Sequence, residues 1–460
     1  MSANQAQRGL AAQAKSNALA VARRAAERNR RPDPVRSERR NQLIADLPDL
    51  QRARALQQIL TGLSIENPYH RMHAAHATTT SIVDNRDCLN FSSYDYLGLN
   101  ADPRPIAAAC EALKTYGVSA SASRMVAGER PVHRDLEAGL AEHYRAEAAQ
   151  VFVSGHATNV TVIDALVGER DAVLHDSFIH NSISSGAKGS GAARRSFAHN
   201  DMDALEFLLE QTRPAFRNIL VVIEGLYSMD GDVPDLPRLI ELKDRYGVWL
   251  MVDEAHALGC VGKTGRGAFE HFGIDPSSVD VWMGTLSKTL ASTGGYIAGS
   301  ADLIDHLRNN ASGFVYSVAL PPVLAASAFA ALEIMHSEPE RVERLQANGR
   351  HFLGRAREMN LDTGLSAGVG VLPVIVGDSA LATKLSERLF QRGINVAPVT
   401  FPGVPMQSAR LRFFLSASHT PDQIDQALFA VHEELEKLRR SGFADRITTA
   451  MAALGVGQNA

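Results

Sequence analysis

The stretch Val248-Trp-Leu-Met-Val-Asp-Glu-Ala-His256 decides the fold. Five apolar residues run directly into a carboxylate. A short apolar run of this kind reads as a strand buried on both faces, with its polar end at the edge of a sheet. The same punctuation recurs on either side. Val151–Val153 ends at Ser154, Ala172–Leu174 at His175 and Asp176, and Ile219–Ile223 at Glu224. Val279–Met283 ends at Gly284 and Thr285. The helical stretch Asp235–Tyr246 stands between two of these runs. Strands alternating with helices predict an α/β fold on a mostly parallel sheet. Ligands of such sheets bind beyond the carboxyl ends of the strands, where these polar residues collect.

An Asp at the end of a buried strand is costly unless a cation meets it. Asp253 is therefore a candidate partner for a protonated ring nitrogen, and His256, three residues on, for a ring oxygen or a proton. Gly284-Thr-Leu-Ser-Lys288 follows at the end of the next apolar run. Lys288 in that place can form an imine with an aldehyde, and Thr285 and Ser287 offer hydroxyls to a phosphate. Ser154-Gly-His-Ala-Thr-Asn159 joins a strand to a helix, and a helix N-terminus near Gly155 suits a phosphate. The turn Glu224-Gly-Leu-Tyr-Ser-Met-Asp-Gly-Asp232 is compact, and it presents Ser228 to the same edge. His180 is a candidate for stacking on a flat ring. Taken singly, each of these has a plain structural explanation: a capping Asp, a surface Lys, a core His.

The remaining sequence sets bounds. At 460 residues the chain is too long for one compact core. Its expected divisions are a basic, partly helical or mobile extension at 1–60, an N-terminal segment at 61–120, and a large cofactor-binding domain at 121–330. A smaller α/β domain follows at 331–440 and a tail at 441–460. Helices are expected over 51–63, with Leu56, Ile59, Leu60 and Leu63 on one face, and over Pro105–Tyr116, Val132–Tyr144 and Pro322–Leu332. Strands are expected near Leu89–Phe91 and at Leu372–Val376 and Arg410–Leu415. Three cysteines with no CxxC pair predict no disulfide framework and no zinc site, in keeping with a reducing, cytoplasmic setting. No apolar run reaches membrane-span length and no signal-peptide pattern is present. Residues 1–45 hold ten Lys/Arg against three acids, while the whole chain carries −4. Nothing beyond that charge points to nucleic acid.

Together the motifs closely resemble the α-oxoamine synthases, a branch of the fold-type I pyridoxal phosphate enzymes. The resemblance runs from about Asn67 to about Lys437. It rests on Phe91-Ser-Ser-Tyr-Asp-Tyr-Leu-Gly98, Glu224–Gly231, Val252–His256, Gly284–Lys288 and Tyr316-Ser-Val-Ala-Leu-Pro-Pro322. It implies a mostly parallel, seven-stranded-type central sheet with a smaller C-terminal α/β domain. It also implies pyridoxal 5'-phosphate bound to Lys288, with Asp253 on the pyridine nitrogen and His180 over the ring. Ser228 and His256 would meet the phenolic oxygen. Backbone amides of Gly155 and His156, with Thr285 and Ser287, would hold the phosphate. Arg412 matches the family's substrate-carboxylate arginine, and Tyr94 and Arg124 are further substrate-side candidates. The implied reaction condenses serine, alanine or glycine with an acyl thioester, from CoA or an acyl carrier protein, with loss of carbon dioxide. The implied assembly is a homodimer with shared active sites, residues near Ala319 reaching the neighbouring subunit's phosphate.

Three positions depart from the family pattern. Many members have Asn where Tyr94 stands, and this version looks more like that of serine palmitoyltransferases. Gly117-Val-Ser-Ala-Ser-Ala-Ser-Arg124 resembles synthases of polyketide or prodiginine-type pathways. His156 replaces a common aromatic, a change that a backbone role survives. Another fold-type I enzyme, an aminotransferase or aldolase, stays open, as does a non-catalytic partner subunit, although such subunits typically lose the lysine. The basic arm is a candidate dock for an acidic carrier protein. Deleting residues 1–45 is expected to weaken use of a carrier-protein thioester about ten-fold, an effect of ~1.4 kcal/mol, and to spare the free CoA thioester. Equal activity with both donors after deletion rejects the dock.

Overall fold

A computed structural model describes residues 43–62 and 65–443. Most of the basic extension, Leu63 and the tail beyond 443 lie outside the described residues. The chain forms two compact units, Met1–Ser64 and Ile65–Ala460. Within the first, a short 3-10 turn, Ile44–Asp46, leads into the helix Pro48–Gly62.

Among its described residues the second unit carries thirteen strands. They are β1 (Thr80–Val83), β2 (Arg86–Asn90), β3 (Ala148–Phe152), β4 (Ala172–Asp176), β5 (Ala193–Phe197), β6 (Ile219–Glu224) and β7 (Trp249–Asp253). After these come β8 (Val281–Thr285), β9 (Gly295–Gly299), β10 (Val371–Gly377), β11 (Ile394–Asn395), β12 (Ala397–Val399) and β13 (Ala409–Phe414). Seven of them form the central sheet in the order β3-β9-β8-β7-β6-β4-β5. All run parallel except β9, which lies antiparallel between β3 and β8. This is the fold-type I transferase fold that the motifs imply.

Alternation along the buried strands fills both faces of the sheet. Val221, Ile223, Leu250 and Val252 point into one core, whereas Leu220, Val222, Met251 and Met283 point into the other. That double burial is why these strands read as continuous apolar runs. The edge strand β5, Ala-Arg-Arg-Ser-Phe, has no such run, and its exposed Arg194 and Arg195 guard the open edge. Its sequence gives little strand signal, and neither does the glycine-bounded β9. Register places Glu224 beside Asp253, and Asp253 beside Met283, so the polar strand ends lie in one row.

The antiparallel β9 changes how Lys288 is held. The lysine sits on a hairpin connection clamped at both ends, because Leu286 N–H donates to Gly294 O at 3.0 Å and Ser292 N–H to Leu286 O at 3.0 Å. A second tie joins distant segments. β11 pairs in parallel with β2, and Phe414 N–H donates to Phe91 O at 2.9 Å. The Phe91–Gly98 motif is thereby laid against β13, which bears Arg412. β13 itself lies between β10 and β12 in a small antiparallel sheet.

The Glu224–Asp232 turn is pinned to that small sheet at Gly231. Gly231 has φ +69°, and an added Cβ would stand 2.0 Å from Val371 O. Gly231 O also accepts from Ala367 N–H at 2.8 Å. Gly231→Ala is expected to destabilise the fold by roughly 2–4 kcal/mol, combining left-handed strain with a backbone clash. Thermal or denaturant unfolding measures this, and an unchanged midpoint contradicts it.

Candidate active site

Lys288 and Asp253 face one cavity of about 380 Å³ at the carboxyl edge of the central sheet. Of the twelve residues singled out in the sequence, eleven line it: Tyr94, Gly155, His156, His180, Ser228, Asp253, His256, Thr285, Ser287, Lys288 and Arg412. Arg124 does not. Its buried guanidinium is taken up by Glu129, at 2.6 and 2.7 Å, and by Glu137. Arg124 lines a different cavity, with Phe314 and Arg308. Two carboxylates already satisfy its charge within this chain, so among the described residues Arg124 is held in an internal ion pair away from the Lys288 cavity.

Asp253 ends β7 and is 4 % exposed. Its Oδ2 accepts from Asn159 Nδ2 at 2.8 Å and its Oδ1 from Ala255 N–H at 2.9 Å. The Asn159 amide also donates to Ser182 Oγ at 3.0 Å, and Ser182 Oγ lies 2.6 Å from His180 Nδ1. His180 Nδ1 further accepts from Ser182 N–H at 3.3 Å. A hydrogen-bonded chain therefore runs from Asp253 to His180. It assigns Nδ1 as the acceptor and leaves the ring proton on Nε2.

Burial pulls the Lys288 amine down to about 8, opposing the attraction of Asp253 and Glu224, and the positive charge of Arg412 works in the same direction as burial. Its Nζ lies 5.6 Å from the centre of the Tyr94 ring. Glu224 is 3 % exposed, and burial together with the neighbouring Asp253 charge raises it to about 8. Its Oε2 accepts from Ser228 N–H at 3.0 Å. His256 shares a 2.7 Å hydrogen bond with Tyr96. Burial first, then Lys288 and Arg412, hold its imidazole well below the ordinary histidine range, so the ring is neutral.

Arg412 projects from β13. Its Nη1 donates to Ser228 O at 3.0 Å and lies 3.3 Å from Met229 Sδ, while the guanidinium stacks over Phe414. Its Nε is buried and has no partner among the described residues. At the other end of the cavity Ser154 caps the helix Gly155–Leu166 by accepting from Ala157 N–H at 3.3 Å. Thr285 and Ser287 join hydroxyls there at 2.8 Å. A Cβ on Gly155 would stand 2.8 Å from Thr285 Oγ1, so only glycine lets the helix start this close to the hydroxyl pair. Tyr94 packs edge-on against Phe414 at 4.6 Å. With Ser287 and Lys288 it also lines a second cavity of about 230 Å³.

Sequence reasoning assigned no role to Asn159, Ser182, Tyr96 or Glu224. Asn159, Tyr96 and Glu224 stand inside quoted motifs and Ser182 lies two residues past His180, but such hydrogen-bonding groups have no spacing signature. Their importance lies in which charged or ring group they touch.

The mixed seven-stranded sheet is that of a fold-type I transferase, with Lys288 and the buried Asp253 at its carboxyl edge. The aminotransferase class I and II family model matches residues 86–431. An 8-amino-7-oxononanoate synthase of Symbiobacterium thermophilum is 43% identical over 350 residues, 76% of this chain and 89% of that protein. A serine palmitoyltransferase of Sphingobacterium spiritivorum is 38% identical over 360 residues, 78% of this chain and 90% of that one. A high-resolution structure of serine palmitoyltransferase with a PLP internal aldimine superposes with a TM-score of 0.81 at 28% identity, covering 85% of this chain and 98% of that one. The chain belongs to the class I and II aminotransferase family and, within it, to the α-oxoamine synthases.

A lysine amine held at about 8 is a far better nucleophile at neutral pH than an ordinary one. The amine reacts only when unprotonated. The rate at which the cofactor-free protein captures an aldehyde is therefore expected to rise roughly ten-fold per pH unit below about 8 and to level off above it. Stopped-flow absorbance measures this. A rise that continues to pH ~10, the ordinary lysine range, contradicts the shift.

Proposed function

We propose that this chain joins the α-carbon of a small amino acid to the acyl carbon of a thioester, releasing carbon dioxide and free thiol, with pyridoxal phosphate held on Lys288. The observation that carries the reading is the shared cavity of the Lys288 amine and the buried Asp253 carboxylate.

The residues present fit that cofactor. The Asp253 carboxylate is buried, with only neutral hydrogen-bond donors on it among the described residues, which suits a cationic ring nitrogen. Asn159 Oδ1 and Arg412 Nε, of residues lining the same cavity, are buried polar atoms with no partner among the described residues. The N-terminus of the helix Gly155–Leu166, beside the Thr285–Ser287 hydroxyls, suits a phosphate. When bound, the cofactor supplies an aldehyde carbon that captures an amine and a ring that takes up electrons from the α-carbon.

In this reading the Gly155 and His156 amides would hold the phosphate with Thr285 and Ser287, and Asp253 would keep the ring nitrogen protonated. Ser228 and the neutral His256 face the ring oxygen. His180 would offer its Nε2–H to the amino-acid carboxylate, and Arg412 its guanidinium. Fixing that carboxylate would orient the α-hydrogen toward Lys288. Lys288 Nζ, close to half protonated at pH 8, takes that proton and later returns one. Tyr94 forms the wall between the two cavities, and its family variant favours serine over alanine and glycine as the amino acid. CoA and carrier protein present the same thioester.

We place the enzyme as a homodimer. Val118, Val126 and Tyr316 are 75%, 83% and 88% exposed, and their segments are joined by Ala319 N–H donating to Ala122 O at 3.0 Å. An apolar surface of that kind supports burial against a second copy. Among the described residues no helix is long and apolar enough to cross a membrane. Three free cysteines support a reducing, cytoplasmic location.

Lys288→Ala is expected to lower amino-acid-dependent release of thiol and carbon dioxide by about 10²–10⁴-fold. Thiol release is followed with a chromogenic disulfide, and carbon dioxide from a carboxyl-labelled amino acid. Amino-group exchange with a keto acid, and no thiol release from any acyl thioester, would sink the reading in favour of an aminotransferase.

A further inference from the structure

Beside the cavity lies a buried cluster that the reaction does not use. His199 follows the edge strand β5, and its ring stands between two carboxylates. Its Nδ1 is 2.9 and 3.1 Å from the two oxygens of Asp176, and its Nε2 is 2.9 Å from Asp232 Oδ2. Both ring nitrogens meeting carboxylates requires both to carry protons. Burial works against that charge, but the hydrogen bonds to Asp176 and Asp232 outweigh it and hold the imidazole up to about 10. The Tyr227 hydroxyl donates to Asp176 Oδ2 at 3.0 Å, and Asn200 donates to both carboxylates. Phe178 stacks on the His199 ring at 4.4 Å, and Tyr227 meets it edge-on at 4.5 Å.

The position of the cluster gives it a consequence. Asp176 and Phe178 belong to the loop that ends at His180. Asp232 closes the turn that carries Ser228 and Met229, through Tyr227 N–H donating to Asp232 O at 2.9 Å. That turn holds Arg412 by Ser228 O and Met229 Sδ, and Arg410 by Asp230. One imidazolium thus ties the loop bearing His180 to the turn that orients Arg412. A core histidine in a neutral pocket has no such reach.

We propose that His199 is a positioning residue: hydrogen-bonded through both ring nitrogens to Asp176 and Asp232, it fixes the separation of His180 and Arg412 and so sets affinity for the amino-acid carboxylate. The inference rests on the carboxylate-binding reading of those two residues. His199 itself does not line the cavity.

The test compares wild type with His199→Gln and Asp232→Asn as holoenzymes, without any thioester. Amino-acid dissociation constants are read from the change in visible absorbance of the bound cofactor. A weakening of about ten- to a hundred-fold is expected in both variants, with cofactor retention unchanged. In parallel, nitrogen-15 NMR of the histidine-labelled, cofactor-free protein should show His199 protonated on both ring nitrogens, without titrating, through pH ~8.5. Variants that melt earlier yet bind the amino acid as tightly as wild type overturn the proposal and leave His199 a structural residue. Should His199→Gln fail to fold, Asp232→Asn and the NMR titration decide, and a ring that titrates in the ordinary histidine range overturns it. Neither readout uses thioester chemistry. A protein that binds amino acids but never releases thiol would therefore refute the proposed reaction and leave this inference standing.

Discussion

The arrangement depends on one buried negative charge. A carboxylate as deep as that of Asp253 is unfavourable unless its surroundings are built around it. Here Asn159 and the Ala255 amide satisfy its oxygens, and Lys288 supplies positive charge across the same cavity. The charge then shapes its neighbours. It adds to the burial that raises Glu224, and it limits how far burial lowers Lys288. Through Asn159 and Ser182 it also sets the tautomer of His180. A single strand end thereby organises an acid, a base and a ring orientation.

Positioning those groups takes two structural ties that the central sheet alone does not provide. The lysine loop is held between β8 and its antiparallel neighbour β9, so both ends of the loop are fixed by ladder hydrogen bonds. Arg412 reaches the cavity from a separate small sheet, brought into place by pairing of β11 with β2 and by the Phe91–Phe414 contact. The cavity is consequently lined from parts of the chain more than three hundred residues apart. Small shifts between these parts alter substrate geometry directly, which is why clamps such as the His199 cluster matter.

Much of this was legible in the chain. Each parallel strand of the central sheet except the edge strand β5 announced itself as an apolar run ending in a polar residue, because burial on both faces demands the run and the sheet edge permits the polar end. Asp253, Lys288, His180, Ser228 and the Gly155 turn all belonged to that pattern and all meet in one cavity. The departures have physical causes. β5 is an edge strand with guarding arginines, so it lacks the run. β9 is short and bounded by glycines. Arg124 matched a family motif but is neutralised within the fold by Glu129 and Glu137. Asn159 and Tyr96 act through neutral hydrogen bonds, for which residue type and spacing carry little signal.

By itself the sequence determined the class of fold, the edge at which chemistry occurs, and the titratable residues available there, because hydrophobic periodicity and strand-end polarity are local properties. Tertiary structure decided which of those residues touch, which protonation states they hold, and which charges are already spent. Those outcomes depend on burial and on partners far away in the chain, and no local pattern encodes a distance between Asn159 and Asp253 or between His199 and Asp232.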